Sequence, residues 1–267
     1  MIGQAIILGI IQGLTEFIPV SSSAHLLVIP ELLRWRDLGL AFDVALHMGT
    51  LVALVAYFRR DWAGILSASL RRRGDEPDAG KRMLLPIIAA CVPAAVAGFL
   101  LDEKIEALRT WRYQLSTIAV VLIGIGLVML LAERVGKKQR GVDQMNPLDY
   151  AVIGCAQALA LFPGVSRSGI TISAGLFRGL DRAAAARFSF LLSTPIVLGA
   201  GLMELKKLVR SGLPANEFAP FVIGFATSAV FGYLAIHFLM NYLRKRPLNA
   251  FVTYRICFAL FILLASQ

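Results

Sequence analysis

The chain has 267 residues and a mass of 29.0 kDa, of which 57% are hydrophobic and 16% charged, with a mean hydropathy of +0.70. Soluble domains average about 45–50% apolar and about 25% charged residues, so this composition excludes a water-soluble fold and predicts a polytopic membrane protein. The net charge of +10 comes mainly from cations in short loops between apolar segments, which favours a role in membrane orientation and argues against a nucleic-acid partner.

The first predicted element is a pair of short apolar segments, 2–17 and 24–33, separated by the polar sequence PVSSS from Pro19 to Ser23. Crossing a bilayer takes about 20 apolar residues, so neither segment can cross alone. Two half-helices around a polar break indicate a re-entrant hairpin, which a membrane tolerates where protein buries the irregular backbone or water hydrates it.

A second broken pair occurs later in the chain, at 148–162 and 168–180 around the sequence PGVSRS from Pro163 to Ser168. The stretches long enough to cross a bilayer lie near 40–58, 83–101, 114–132, 188–205, 218–241 and 248–265. The predicted fold is therefore an all-α integral membrane protein with six full transmembrane helices plus two re-entrant helical hairpins.

The two hairpins are related by an internal repeat. A shift of 145 residues gives seven identities over the 17 positions from 9 to 25 without a gap. The coinciding residues are Gly9 and Gly154, Gln12 and Gln157, Leu14 and Leu159, Phe17 and Phe162, Val20 and Val165, Ser21 and Ser166, and Ser23 and Ser168. Three crossings separate the hairpins, which predicts an inverted-topology repeat, about 1–133 and 147–267, within a single membrane domain, 1–267. Chance similarity between two apolar segments is the alternative.

Loop charges predict the orientation. With both hairpins re-entrant, 17 of the 27 Lys and Arg residues fall in loops on one side and 8 on the other. The positive-inside rule then places loops 59–82 and 134–147 in the cytoplasm and both termini outside. Lys206, Lys207 and Arg210 run against this bias.

Polar residues concentrate at the hairpin tips. In the first hairpin they are Gln12, Thr15, Glu16, Ser21, Ser22, Ser23 and His25. In the second they are Gln157, Ser166, Arg167, Ser168, Thr171 and Ser173. A charged residue at the bilayer centre costs about 2.5–3.5 kcal/mol, so Glu16 and Arg167 at meeting tips predict a solvated functional site.

Each residue type at the tips suits phosphate chemistry. Gln12 and Glu16, four apart on one helix face, offer oxygens to a hard cation such as Mg²⁺. Arg167 presents a planar fork for phosphate oxygens. Ser22 and His25, three apart, are close enough on one helical turn to form a nucleophile and base. The helix N-termini at the serines favour an anion.

The same polar residues also allow purely structural interpretations. The tip serines Ser21, Ser22, Ser23, Ser166 and Ser168 are also typical N-caps. His25 can be a hydrogen-bonded interior histidine, and Glu16 with Arg167 can be an ion pair that fastens the two repeats.

Two runs resemble the signatures of one family. QGLTEFIPVSSSAH, from Gln12 to His25, and PGVSRSGIT, from Pro163 to Thr171, are similar to those of the bacterial undecaprenyl-diphosphate phosphatases, also called bacitracin-resistance proteins. The resemblance covers essentially the whole chain. It implies a phosphoric anhydride hydrolase of the cytoplasmic membrane that converts undecaprenyl diphosphate to undecaprenyl phosphate and inorganic phosphate. This reaction recycles the lipid carrier of peptidoglycan synthesis and confers bacitracin resistance.

The resemblance also implies roles for residues, a divalent cation (Mg²⁺ or Ca²⁺) and a site that opens to the outer face. The catalytic residues would be Glu16, Ser22, His25 and Arg167, and the metal ligands Glu16 and Gln12. Substrate-binding residues would be Gln12, Ser21, Ser23, Ser166, Arg167, Ser168 and Thr171. Gln12 stands where the family has Gln or Glu, leaving one charge fewer for a metal than Glu would. Ser23-Ala24 replaces a frequent Thr-Gly.

Three questions stay open at this stage. The nucleophile is Ser22, His25 or an activated water. A homodimer is neither predicted nor excluded. A lipid-phosphate transporter is the rival function, because inverted repeats with broken helices also form transporters. A transporter would not need Ser22 and His25 together with a carboxylate.

Overall fold

The computed structural model describes residues 1–36, 38–70, 81–109, 114–211 and 215–265. In these ranges the chain folds into α-helices and one 3-10 turn, Val142–Gln144, without a β-strand, so the predicted all-α class is confirmed. The helices are α1 (Ile2–Phe17), α2 (Ser22–Leu32), α3 (Gly39–Tyr57), α4 (Arg59–Leu70), α5 (Lys81–Arg109), α6 (Gln114–Val135), α7 (Pro147–Leu159), α8 (Arg167–Phe177), α9 (Arg182–Ser211), α10 (Ala215–Leu243) and α11 (Asn249–Ala265).

Helices cover all six stretches predicted to cross the membrane. In the described part of the chain, α5, α6, α9 and α10 are each long and apolar enough to span a bilayer, and α3 with α4 forms a further candidate bent by 70°. With 17 residues, α11 is shorter than a typical span. The chain is therefore a multi-pass membrane protein, whereas the number of six spans stays a prediction.

The predicted loop 59–82 begins with a helix instead. Its first 12 residues form α4, and residues 71–80 lie outside the described ranges. Asp61 in the first turn of α4 suits the positive end of the helix dipole. The same carboxylate accepts hydrogen bonds from Arg187 on α9, which fastens α4 to the bundle.

The two broken pairs fold as matching hairpins. Helix α1 ends at Phe17 because Ile18 precedes Pro19 and adopts extended backbone, with φ −65° and ψ 134°. The second arms α2 and α8 each have 11 residues and begin 145 positions apart, the same interval as the sequence repeat. The residues before them, Ser21 and Ser166, have φ +77° and +69°, so the repeat extends to an unusual backbone conformation.

Helix packing also follows the repeat. Helix α1 packs on α10 as α7 packs on α5, α3 packs on α10 as α9 packs on α5, and α6 packs on α11. Gly9 and Gly154 permit the close approach of the first arms, because a Cβ on Gly9 would collide with Thr227 and one on Gly154 would lie 2.5 Å from Ala90 O. The opposite orientations of the two repeats in the membrane stay a prediction.

Ion pairs close the open end of the second hairpin. Asp149, fully buried in the first turn of α7, accepts from Arg178 Nε at 2.7 Å and from Arg140 Nη2 at 2.6 Å. Because Arg178 directly follows α8, this carboxylate ties the start of one arm to the end of the other. The second tip is thus carried on two arms that are fixed at their base.

Candidate active site

The two hairpin tips contact each other. Gly164 N–H of the second tip donates to Ser23 Oγ of the first at 3.3 Å. Arg167 Nη2 donates to Glu16 Oε1 at 2.6 Å, again from one hairpin to the other. The repeat predicted tips that meet, and the structure brings their polar residues together.

Glu16 is the centre of this cluster. Its Oε1 accepts from Arg167, and its Oε2 accepts from Ser22 Oγ at 2.7 Å and from Gln12 Nε2 at 3.1 Å. The Glu16 side chain is 8% exposed and that of Arg167 is 21% exposed. One carboxylate therefore joins a cation, a hydroxyl and an amide at a site where Arg167 and Ser22 are partly exposed.

A narrow cleft lies beside the pair. Its polar lining comes from Glu16, Arg167, Ser168, Thr50 and Ser193, and its apolar lining from Phe17, Leu51, Leu54, Phe190 and Val197. Charged and apolar surfaces side by side suit an amphiphilic ligand with a small anionic head.

The second arms both start at the tips with a serine cap. Ser21 Oγ accepts from Ala24 N at 3.4 Å and Ser166 Oγ from Gly169 N at 3.2 Å. The capping interpretation therefore holds for these two serines. Their positive φ is uncommon for a residue with a side chain, and such backbone clusters at functional sites. The N-termini of α2 and α8 lie where an anion would be stabilised.

Ser22 and His25 do not pair, contrary to the sequence prediction. Ser22 Oγ donates to Glu16 instead. His25 Nδ1 lies 2.7 Å from Ser21 O, Nε2 lies 2.7 Å from Tyr254 Oη, and the ring stacks on Phe258 at 4.2 Å. A carbonyl only accepts, so Nδ1 carries the proton and Nε2 accepts from Tyr254. Both ring nitrogens are therefore engaged away from Ser22.

The other predicted substrate-binding residues divide into two groups. Ser168 lines the cleft, and Ser23 lies at the contact between the tips. Thr171 is fully buried, donates to Arg167 O at 2.7 Å and lies 2.6 Å from Ser189 Oγ on α9. The structure thus places Thr171 in helix packing behind Arg167, and it does not line the cleft.

Glu16 and Gln12 fit a cation that is completed by a substrate. Across the described residues, no group of three or more His, Cys, Asp and Glu side chains is placed to hold a metal ion. Gln12 is fully buried, its Nε2 donates to Glu16, and none of the described residues forms a hydrogen bond with its Oε1. One carboxylate and an amide oxygen suit Mg²⁺, which usually keeps several waters and takes further ligands from substrate phosphates.

Two residues that line the cleft carry no signal in the sequence. Thr50 on α3 and Ser193 on α9 lie within predicted spans and are 1% and 7% exposed. Each hydroxyl donates within its own helix, Thr50 to His47 O at 2.9 Å and Ser193 to Ser189 O at 2.8 Å. A single hydroxyl in an apolar span is common and predicts no site. Only the folded structure shows that Thr50 and Ser193 lie on the faces of α3 and α9 that line the cleft.

Fold and site together define a class: a multi-pass helical membrane protein with an ion pair between two helical hairpins. The family model described as "Bacitracin resistance protein BacA" matches residues 5–261. This chain belongs to that family.

Relatives agree with this assignment over nearly the whole chain. A protein of Geobacter metallireducens is 50% identical over 254 residues, covering 95% of this chain and 94% of its own. A protein of Geobacter sulfurreducens is 49% identical, with the same coverage. A protein of Thermomicrobium roseum is 47% identical, covering 98% of this chain and 96% of its own. All three are named undecaprenyl-diphosphatase.

Proposed function

We propose that this chain removes the terminal phosphate of undecaprenyl diphosphate, giving undecaprenyl phosphate and inorganic phosphate. The observation that carries the proposal is Glu16 held between Arg167 and Ser22 beside a cleft with an apolar lining. A lipid diphosphate matches both the charged pair and the apolar lining: its head would lie at Glu16 and Arg167, and the start of its chain along the apolar residues. Family membership and the names of the relatives support this assignment.

Arg167 binds the terminal phosphate in this proposal. Its guanidinium reaches Glu16 through Nη2, and the remaining N–H groups are available to phosphate oxygens in a fork geometry. Helices α2 and α8 both begin at the tips, so their positive dipole ends also favour an anion there. These fixed donors stabilise the charge that develops on the transferred phosphoryl group.

Ser22 is the nucleophile and Glu16 its base. Ser22 Oγ, which already donates to Glu16 Oε2 at 2.7 Å, attacks the terminal phosphorus while its proton passes to Glu16. The bond from phosphorus to the bridging oxygen breaks, and Glu16 returns the proton to the departing undecaprenyl phosphate. Glu16 then takes a proton from water, which attacks the phosphoserine, and passes that proton to Ser22 as inorganic phosphate leaves.

His25 and the cation have supporting roles. His25, with both nitrogens engaged, holds α2 in place and does not act as the base. Glu16 and Gln12 would hold the divalent cation, Mg²⁺ or Ca²⁺, which when bound neutralises charge on the diphosphate.

The membrane setting belongs to the same proposal. The chain would lie in the bacterial cytoplasmic membrane as six spans and two re-entrant hairpins, with termini and cleft facing outside. The charge bias of the loops supports this orientation. Product returned there would re-enter the lipid-carrier cycle of peptidoglycan synthesis, and removal of the diphosphate lipid would confer bacitracin resistance.

Phosphate release by protein purified in detergent tests the proposal. We expect release of inorganic phosphate from undecaprenyl diphosphate, its loss with EDTA, and its recovery with Mg²⁺ or Ca²⁺. Ser22→Ala should abolish turnover, whereas Ser67→Ala, an exposed serine on α4, should not change it. Binding of the lipid without phosphate release would support the transporter instead. Release that persists in Ser22→Ala would make a water on Glu16 the nucleophile.

A further inference from the structure

Arg255, in the middle of α11, is fully buried. Within the described ranges no carboxylate forms an ion pair with it. A buried charge without a counter-ion is destabilising unless its hydrogen bonds are satisfied, so its partners indicate why it is there.

The partners of Arg255 are backbone carbonyls, and most of them belong to the hairpin tips. Nη2 donates to Gly164 O at 2.8 Å and Val165 O at 3.3 Å, in the second tip. Nη1 donates to Pro19 O at 3.4 Å, in the first tip. Nε donates to Leu122 O on α6 at 3.2 Å. The guanidinium therefore bridges both tips and a long helix.

These tip carbonyls lie outside the helices and need a donor. No backbone N–H in the described ranges donates to the carbonyls of Pro19, Gly164 or Val165. Away from water, unpaired carbonyls are costly, and a planar guanidinium can satisfy several at once in fixed geometry. An ammonium group would offer a point charge without that planar reach.

The contacts of Arg255 fix residues on both sides of the charged pair. Pro19 follows Glu16 by three residues, and Gly164 precedes Arg167 by three. Gly164 has φ +92° and also donates to Ser23 Oγ, so it is held through both its N–H and its carbonyl. The neighbouring Tyr254 donates to His25 on α2. One turn of α11 therefore holds the first hairpin at Pro19 and His25 and the second tip at Gly164 and Val165.

We propose that Arg255 is a positioning residue that locks the two hairpin tips in register, so that Glu16 and Arg167 keep the separation that phosphoryl transfer requires. The inference rests on the proposed phosphatase function and adds a residue that touches neither substrate nor reacting atoms. Because a misplacement of about 1 Å in an active site can reduce the rate about 100-fold, the effect should fall on kcat.

The experiment compares Arg255→Lys with Arg182→Lys, the same exchange at an arginine that pairs with Glu133 away from the tips. We expect Arg255→Lys to lose about 100-fold in kcat with KM changed less than about threefold, and Arg182→Lys to keep wild-type kcat. Hydrogen exchange of peptides covering 18–24 and 162–168, measured without substrate, should be faster in Arg255→Lys only.

Wild-type kcat together with unchanged tip exchange in Arg255→Lys would overturn the proposal. If Arg255→Lys does not fold, Arg255→Gln, which keeps a planar donor, takes its place under the same two readouts. If neither Arg255 variant folds while Arg182→Lys does, Arg255 is required for folding, and the positioning role is overturned as well. If the wild-type protein released no phosphate, the proposed function would fail, while the exchange comparison would still test the lock.

Discussion

Glu16 accepts hydrogen bonds from three side chains, and this predicts a severe effect of removing its charge. Glu16→Gln keeps the shape but can no longer take a proton from Ser22, so turnover should fall about 10²–10⁴-fold. Gln12→Glu should be tolerated, since it adds an oxygen ligand of the acidic type. Phosphate release per folded molecule measures both, with Glu31→Gln on the exposed side of α2 as the matched control. Near wild-type turnover in Glu16→Gln would show that Glu16 is not the base.

Arg167 distinguishes a phosphate clamp from a structural ion pair. If its fork binds the terminal phosphate, Arg167→Lys should lose about 10²–10³-fold in kcat while the melting temperature stays close to that of the wild type. A pair that only fastened the hairpins would give the reverse result, a lower melting temperature with turnover kept. Measuring both quantities on one preparation decides between them.

Gln12, Glu16 and Arg167 could be predicted from the sequence because their signal is local. Four-residue spacing puts the first two on one helix face, and charges in apolar surroundings attract attention at once. The expected pair of Ser22 and His25 was wrong because the partner of His25 is distant: the hydroxyl of Tyr254, 229 residues further on, lies 2.7 Å from His25 Nε2. Spacing within α2 carries no information about α11.

Among the helices and turns, too, features with a local signal could be predicted and features that depend on distant contacts could not. Hairpin breaks could be predicted, since Pro19 closely follows the end of α1, Pro163 lies in the turn after α7, and serines cap the second arms. Helix α4 could not, because its many polar residues resemble a loop and its anchor is the ion pair with Arg187 on another helix. The contribution of Thr50 to the cleft likewise depends on how α3 is rotated in the bundle.

The start of α8 offers a test of what Ser166 does. Ser166→Ala removes the cap and keeps a Cβ at positive φ, so it should cost about 0.5–2 kcal/mol of stability. Ser166→Gly suits that backbone and should cost only a few tenths. If Ser166 acts only as a cap, Gly keeps turnover per folded molecule. If Ser166 also binds substrate, both variants lose it. Thermal melting and phosphate release together separate these outcomes.

For the whole molecule, the loop charges predict which face is cytoplasmic. In a background without the native cysteines, Ser69→Cys on exposed α4 should be protected from an impermeant thiol reagent in intact cells. Arg36→Cys, exposed on the opposite predicted side, should be labelled and serves as the control. The reverse pattern would invert the topology, and labelling of both would reject the predicted arrangement of spans.

The matching hairpins carry different chemistry at corresponding positions. At the repeat interval of 145, Glu16 corresponds to Leu161 and Ser22 to Arg167. Two unmodified copies of the first tip would face each other with like negative charges, and two copies of the second would do so with like positive charges. The pairing of Glu16 with Arg167 therefore depends on the difference in sequence between the two tips. The backbone conformation thus repeats from one tip to the other, at Ser21 and Ser166, whereas the side-chain charge does not.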